Sequence, residues 1–345
     1  MVLAAMHREL EQRQLYLGKE ARIETIYFGG GTPSLLSEKE LSDLLGKINS
    51  LFTVASDAEI TLEANPDNIE PAQLSTWHKR GINRLSIGVQ SFFDEDLRYM
   101  NRAHDGAAAE RSIRQAIEAG FDNITMDLIY GTPGLSDAHW LMNLNKARSL
   151  GVSHLSCYAL TLEKDTPLEH LIRRGKSAPL SDEQSARQFE LLMDWAPESG
   201  FEQYEISNFA KQGMYSRHNS NYWKGANYLG IGPSAHSFDG GSRQWNIANN
   251  GRYVQGLSEG VEYFEREELT AAQQLDEYLL VSLRTMWGCD LQQVKNRFGV
   301  AAEERLRSES KPFIEAGDVV LTQDRLLLTR QGKLIADRIA SELFV

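Results

Sequence analysis

The chain has 345 residues, 41% of them hydrophobic and 24% charged, a balance that excludes global disorder and fibrous architecture. Its formal net charge of −12 argues against a broad nucleic-acid footprint and against adhesion to anionic lipid. Two cysteines, Cys157 and Cys289, cannot make a disulfide framework, a four-cysteine metal site or a CxxC redox motif. Their scarcity fits a reducing cytoplasm.

The first segment, MVLAAMHRELEQRQLYLG, places Val2, Met6 and Leu10 four residues apart among charged residues. That spacing predicts an amphipathic helix and not an export signal. No stretch approaches the roughly 20 apolar residues that a membrane-spanning helix needs. From residue 23 to 210 one pattern recurs, a short β-rich run that ends in glycine or polar residues and is followed by a helical stretch. The runs lie at 23–31, 59–66, 84–92, 123–133, 154–162 and 203–210. The helical stretches lie near 38–50, 70–80, 106–119, 137–150 and 181–198. Such spacing predicts βα units, in which parallel strands are joined by helical crossovers. The strands read as apolar with little alternation, so the expected sheet is parallel and covered on both faces, in an open sheet or a barrel.

Residues 211–265 read as irregular and rich in aromatics, including Tyr222, Trp223, Tyr228, Phe238 and Trp245. Loops of that length are usually functional. After Leu269 the chain turns helical, with a hairpin around Gln323-Asp324 and a last helix from about 330. This predicts a winged-helix-like module. Residues 269–345 carry ten basic and eleven acidic side chains, so the basic face of a DNA reader is not evident, and packing or docking is the expected role.

Several strand ends carry groups that suit a ligand. Parallel α/β proteins bind ligands at the carboxyl edge of the sheet. Gly29-Gly30-Gly31-Thr32-Pro33-Ser34 is neither a P-loop nor the dinucleotide fingerprint, yet three glycines let a backbone approach a bound molecule. Gly230-Ile231-Gly232-Pro233-Ser234-Ala235 matches G-x-G-x-x-A, but late in the chain and with a proline that removes an N–H. It reads as a glycine-lined wall. Asp127 and Glu63 are carboxylates at strand ends that could accept from ligand hydroxyls; the simpler alternative is helix capping or pairing with Arg102 or Arg84. His218, beside Tyr222 and Trp223, is either an iron ligand, a stacking wall or a plain loop histidine. Both cysteines read as small core residues.

Taken in order, GGGTPS, LEANP, IGVQSF, MNRAH, MDLIYGTPG, CYALT, YEISNFA, RHNSNYW and YLGIGPSAHSF span about 25 to 240. Together they resemble the radical S-adenosylmethionine (SAM) proteins of the oxygen-independent coproporphyrinogen III oxidase family. The HNxNYW segment is most similar to the family's haem chaperone branch. The resemblance implies a (β/α)₆-type barrel over 1–240, incomplete because its first strand is missing, a connecting segment over 241–268, and a helical, winged-helix-like domain over 269–345. It implies that Gly30, Gly31 and Thr32 meet the methionine end of SAM. Glu63, Gln90, Arg102 and Asp127 would hold the rest, with Ala159 and His236 at the adenosine, and His218 would bind haem.

The family's CxxxCxxC motif, whose three thiolates hold a [4Fe–4S] cluster, does not occur in this sequence. Cys157 and Cys289 cannot replace it. Either the native start lies upstream of Met1 or the chain is a cluster-free relative, and the persistence of the SAM-facing residues favours the first. The resemblance therefore implies a cytoplasmic haem-binding protein that delivers haem to respiratory enzymes. It leaves two alternatives, a coproporphyrinogen III dehydrogenase and an inactive fragment. Partners expected on this reading are haem or porphyrin and a haem-accepting respiratory protein, without nucleic acid or a membrane span, and with peripheral membrane contact left open.

Overall fold

The computed structural model describes all residues, Met1–Val345. In chain order the first part comprises α1 (Val2–Gln12), β1 (Arg22–Phe28), α2 (Glu38–Leu51), β2 (Thr53–Ala64), α3 (Pro71–Lys79), β3 (Arg84–Gln90), α4 (Asp94–Tyr99) and α5 (Gly106–Glu118). Then come β4 (Ile124–Tyr130), α6 (Asp137–Ser149), β5 (His154–Ala159), α7 (Pro167–Arg173), α8 (Asp182–Glu198), β6 (Glu202–Glu205) and β7 (Asn208–Ala210). The remainder opens with α9 (Arg217–Trp223), β8 (His236–Phe238), β9 (Ser242–Asn246), α10 (Asn250–Glu259), β10 (Phe264–Glu268) and α11 (Ala271–Leu283). It closes with β11 (Cys289–Asp290), α12 (Leu291–Phe298), α13 (Val300–Glu309), α14 (Lys311–Ala316), β12 (Val319–Thr322), β13 (Arg325–Leu328), α15 (Arg330–Lys333) and α16 (Ala336–Glu342).

Local chemistry starts many of these helices. Ser37 and Glu40 form a reciprocal capping box on α2, and Thr270 and Gln273 do the same on α11. Asp105 accepts from the Ala108 N–H at 2.7 Å to open α5, and Ser136 accepts from the His139 N–H at 3.2 Å to open α6.

Two compact units divide the chain. One contains 27–35 and 60–216, the other 1–26, 36–59 and 217–345. Strands β1 and β2 each pass from one unit to the other. The main sheet has the order β1-β2-β3-β4-β5-β7-β6. Strands β2 to β5 pair in parallel, each with its neighbour, as expected. The expected last parallel strand, 203–210, is instead a hairpin: β7 pairs antiparallel with β5 and β6 antiparallel with β7. Ile206-Ser207 turns the chain within that run, and Glu205 accepts from the Ser207 N–H at 2.9 Å and from Asn208 Nδ2 at 2.7 Å to hold the turn.

The reading of the strands as apolar without alternation is also corrected. In β3, Leu85, Ile87 and Val89 are fully buried on one face, while Arg84, Ser86, Gly88 and Gln90 occupy the other. Strand β3 packs with α5. The polar face is buried too, so its groups need partners: Arg84 donates to Asn123 and, at 2.6 Å, to Thr125 Oγ1.

The second unit corrects the irregular reading of 211–265. That stretch contains α9, α10 and a three-stranded antiparallel sheet in the order β10-β9-β8, with Phe264 opposite Asn246 and His236 opposite Trp245. Strands of three to five residues leave too short a pattern to read. The C-terminal hairpin appears where expected, β12 pairing with β13, which also pairs with β11.

At the centre of this unit α1 buries a charge. Glu9 is fully buried and accepts from the Gly232 N–H at 2.8 Å, Asn246 Nδ2 at 2.7 Å and the Tyr253 hydroxyl at 2.5 Å. Arg13, one turn on, lies 3.6 Å from the same carboxylate and donates to Gln244 Oε1 at 3.0 Å. Removing one member of such a network leaves a buried charge unpaired. Glu9→Gln should therefore lower stability by about 3 kcal/mol or more in urea unfolding. A loss below about 1 kcal/mol would contradict this account of the network.

Candidate functional site

Within the sheet-bearing unit, parallel pairing carries the polar ends of β2 to β5 to one edge. Glu63 registers with Ser86, Asp127 with Ser156, and Tyr130 with Ala159. The glycine turn after β1 joins them. Glu63 accepts from the Tyr27 hydroxyl at 2.8 Å through one oxygen and from the Gly30 N–H at 3.1 Å through the other. A Cβ on Gly29 would lie 2.5 Å from the Tyr27 ring and 2.9 Å from Glu63. Gly30 and Gly31 have φ of 76° and 66°, in the left-handed region that glycine enters freely. The triple glycine thus meets one packing and two conformational requirements, and Thr32 accepts from the Leu35 N–H through its carbonyl as the chain turns.

Gln90, at the end of β3, holds a φ of 68° next to a register shift in the β3–β4 pairing. A left-handed non-glycine residue at a strand end is strained, and such strain concentrates at ligand sites. Gly88 leaves the space in which Gln90 and Arg102 meet. A Cβ there would lie 2.9 Å from Gln90 Nε2 and 3.0 Å from Arg102 Nη2. Arg102 Nε is buried without a hydrogen-bond partner. Burial lowers the Arg102 pKa, against the opposing pull of Asp127 and Asp67.

Asp127 accepts from the Ser86 hydroxyl at 3.2 and 3.3 Å. Burial, and then the charge of Glu63, push its pKa up to about 7, while Ser86, Ser156 and Arg102 act in the opposite direction. Near neutrality this carboxyl is therefore divided between its acid and its anion. The anion can accept from two hydroxyls, and the acid can donate one hydrogen bond. Burial also raises the Tyr27, Tyr158 and Cys157 pKa values, so these groups stay protonated. The edge is a set of neutral donors and acceptors around two carboxylates and one guanidinium.

Eight of the expected SAM-facing residues, Gly30, Gly31, Thr32, Glu63, Gln90, Arg102, Asp127 and Ala159, lie in this unit. His236 lies in the other, where its ring stacks 6.3 Å from Trp245. Both line a cavity of about 420 Å³ with Ser234, Arg252 and Glu262.

His218, also in that unit, sits in the first turn of α9. The Arg217 and His218 N–H groups donate to the two oxygens of Glu59, at 3.0 and 2.9 Å. A carboxylate at a helix N-terminus satisfies otherwise unpaired donors. The imidazole Nδ1 lies 3.0 Å from Thr25 Oγ1. Burial lowers the His218 pKa, partly offset by Glu59, so the ring is neutral at pH 7. Beyond it, Tyr222, Trp223, Tyr228 and Phe238 form a run of ring contacts 5.1 to 6.2 Å apart.

Sequence reasoning did not single out Tyr27, Gly88, Thr25 or Glu59. Gly88 carried a signal, since glycine inside a strand marks a close approach. The other three look like ordinary strand residues, and only the fold shows what they touch.

Residues 7–158 match the Radical SAM superfamily and residues 269–335 the HemN C-terminal domain. The fold matches coproporphyrinogen III oxidase HemN from Escherichia coli, described as a radical SAM enzyme, with a TM-score of 0.85 and 24% identity. That match covers 100% of this chain and 82% of the other. The protein thus has the α/β radical SAM fold with a C-terminal helical domain. The heme chaperone HemW of Bacillus subtilis is 36% identical over 92% of this chain and 84% of its own length. HemW of Mycobacterium tuberculosis is 36% identical over 99% and 85%, and that of E. coli 32% over 94% and 84%. The chain belongs to the HemW family.

The Asp127 pKa has a measurable consequence. Its folded-state value of about 7 lies above its ordinary value of 3.8, so between the two the folded protein binds more protons than the unfolded chain. The stabilising contribution is full below the ordinary value and is lost as pH rises through about 7. Urea unfolding at pH 5 and pH 8 should show wild type losing more stability on that rise than Asp127→Asn. Parallel losses would contradict the assignment.

Proposed function

We propose that this protein binds haem through His218 and delivers it, as the name of its HemW relatives indicates for them. The observation that carries this reading is the posture of His218. Its Nδ1 is tied to Thr25, its helix is anchored on Glu59, and burial keeps the ring neutral in a helix that also carries Tyr222 and Trp223. A neutral imidazole with a partner on one nitrogen is the arrangement that haem and metal ligation uses. Flat aromatic faces suit the apolar macrocycle.

SAM belongs to the same reading through the sheet edge. Gly30, Gly31 and Thr32 would take its amino-acid end, Glu63, Gln90, Arg102 and Asp127 its polar groups, and Ala159 its adenosine. The unpartnered buried Arg102 Nε and the space kept open by Gly88 support a polar ligand there. The family's [4Fe–4S] cluster is a different matter. These residues hold two thiols, Cys157 and Cys289, both buried, in different units and with pKa values raised by burial. They form no three-thiolate set that could hold such a cluster.

No helix is long and apolar enough to cross a membrane. We place the protein in the cytoplasm, with a haem-accepting respiratory protein as its partner. Titration with hemin, followed by absorbance, tests the reading. Wild type should bind saturably with a band characteristic of histidine ligation, and His218→Ala should lose that band and weaken binding by about tenfold or more, some 1.4 kcal/mol. Binding indifferent to His218 would overturn the assignment.

A further inference from the structure

The helix that carries His218 is only seven residues long, Arg217–Trp223. A helix so short does not persist in water by its own hydrogen bonds and depends on tertiary contacts. Glu59 and Thr25 hold its first turn. Its last turn is held by the region matched to the HemN C-terminal domain, through two pairs of opposite sense.

Lys224, just past α9, places its ammonium 4.5 Å from the ring centroid of Trp287. Arg284, at the end of α11, places its guanidinium 5.3 Å from the ring centroid of Trp223. Each side therefore supplies one cation and one aromatic face, the geometry of a cation–π contact. Both C-terminal groups are fixed from behind. Arg284 Nη1 donates to Asp337 of α16 at 2.8 Å. The Trp287 carbonyl accepts from Arg325 of β13 at 3.0 Å, and Arg325 in turn donates to Asp290 at 2.7 Å. Gly288, at a φ of 64°, brings this turn against β13, where a Cβ would lie 2.3 Å from the Leu326 carbonyl oxygen. Trp223 also packs edge-on against Tyr222 at 5.1 Å, so the grip on it extends into the aromatic run beside His218.

We propose that the C-terminal domain positions the His218 helix through this reciprocal cation–π pair, with Arg284 and Trp287 as its positioning residues. The proposal rests on the haem-binding reading for its functional consequence, but not for the contact itself. Haem affinity would scale with the fraction of molecules in which α9 is docked. The near balance of charge in 269–345 is consistent with a domain whose task lies within its own chain.

The test compares the Arg284→Met/Trp287→Leu double variant with Arg284→Lys/Trp287→Phe, which keeps one cation and one ring. Amide hydrogen exchange over residues 217–224, without ligand, should quicken in the first and match wild type in the second. Hemin affinity should fall by about tenfold in the first and stay within about threefold in the second. Wild-type exchange and affinity in the Met/Leu variant would overturn the proposal. If that variant does not fold, Lys224→Met, at an exposed helix end, gives the same exchange readout. If wild type binds no hemin through His218, the haem reading fails while the exchange data still decide the contact.

Discussion

Parallel pairing of β2 to β5 is the constraint on which the candidate SAM site depends. Because these strands run in one direction, whatever ends them is gathered at one edge, and four separate stretches of sequence contribute there. The cost is that polar groups become buried together. Asp127 cannot ionise freely beside Glu63, and Gln90 is held in an unfavourable backbone region. The structure offsets this cost with apolar packing on the opposite face of the same strands, where Leu62, Leu85, Ile87, Met126 and Leu128 are fully buried. Such strain and desolvation concentrate at ligand sites, which makes this edge the candidate one.

The other unit works by a different principle, that of buried charges used as fixed points. Glu9 gathers the α1 helix, the Gly232 turn, β9 and α10 around one carboxylate. Glu59 gathers the first turn of α9 in the same manner. A carboxylate in such a position accepts several hydrogen bonds at once, and these short, irregular segments have few other means of being held. The result is that the histidine and the glycine-rich turn, which lie in chain regions with little regular pattern, take definite positions.

Much of this was legible in the sequence. The βα alternation, the boundaries of α2, α5, α6 and α8, the glycine turn and the strand-end carboxylates all follow from local chemistry, and the structure has them. The less legible parts share a physical cause. Strand β3 is covered on both faces as expected, but it alternates, and the polar face with Arg84, Ser86 and Gly88 is masked in the sequence by the apolar residues between them. The hairpin at 203–210 reads as one strand because Ile206-Ser207 lacks the usual glycine or proline. Strands β8 to β10 are too short for a period to emerge. Thr25 and Glu59 matter only through His218, some 190 and 160 residues away in sequence, a relation that no local pattern encodes.

The most direct measurement is a crystal structure of this chain grown with hemin. Haem iron should lie within bonding distance of the His218 imidazole, with the macrocycle against the neighbouring aromatic side chains and Thr25 still paired to the other ring nitrogen. Iron bound by a different side chain, or hemin seated away from α9 with His218 still in its ligand-free posture, would contradict it.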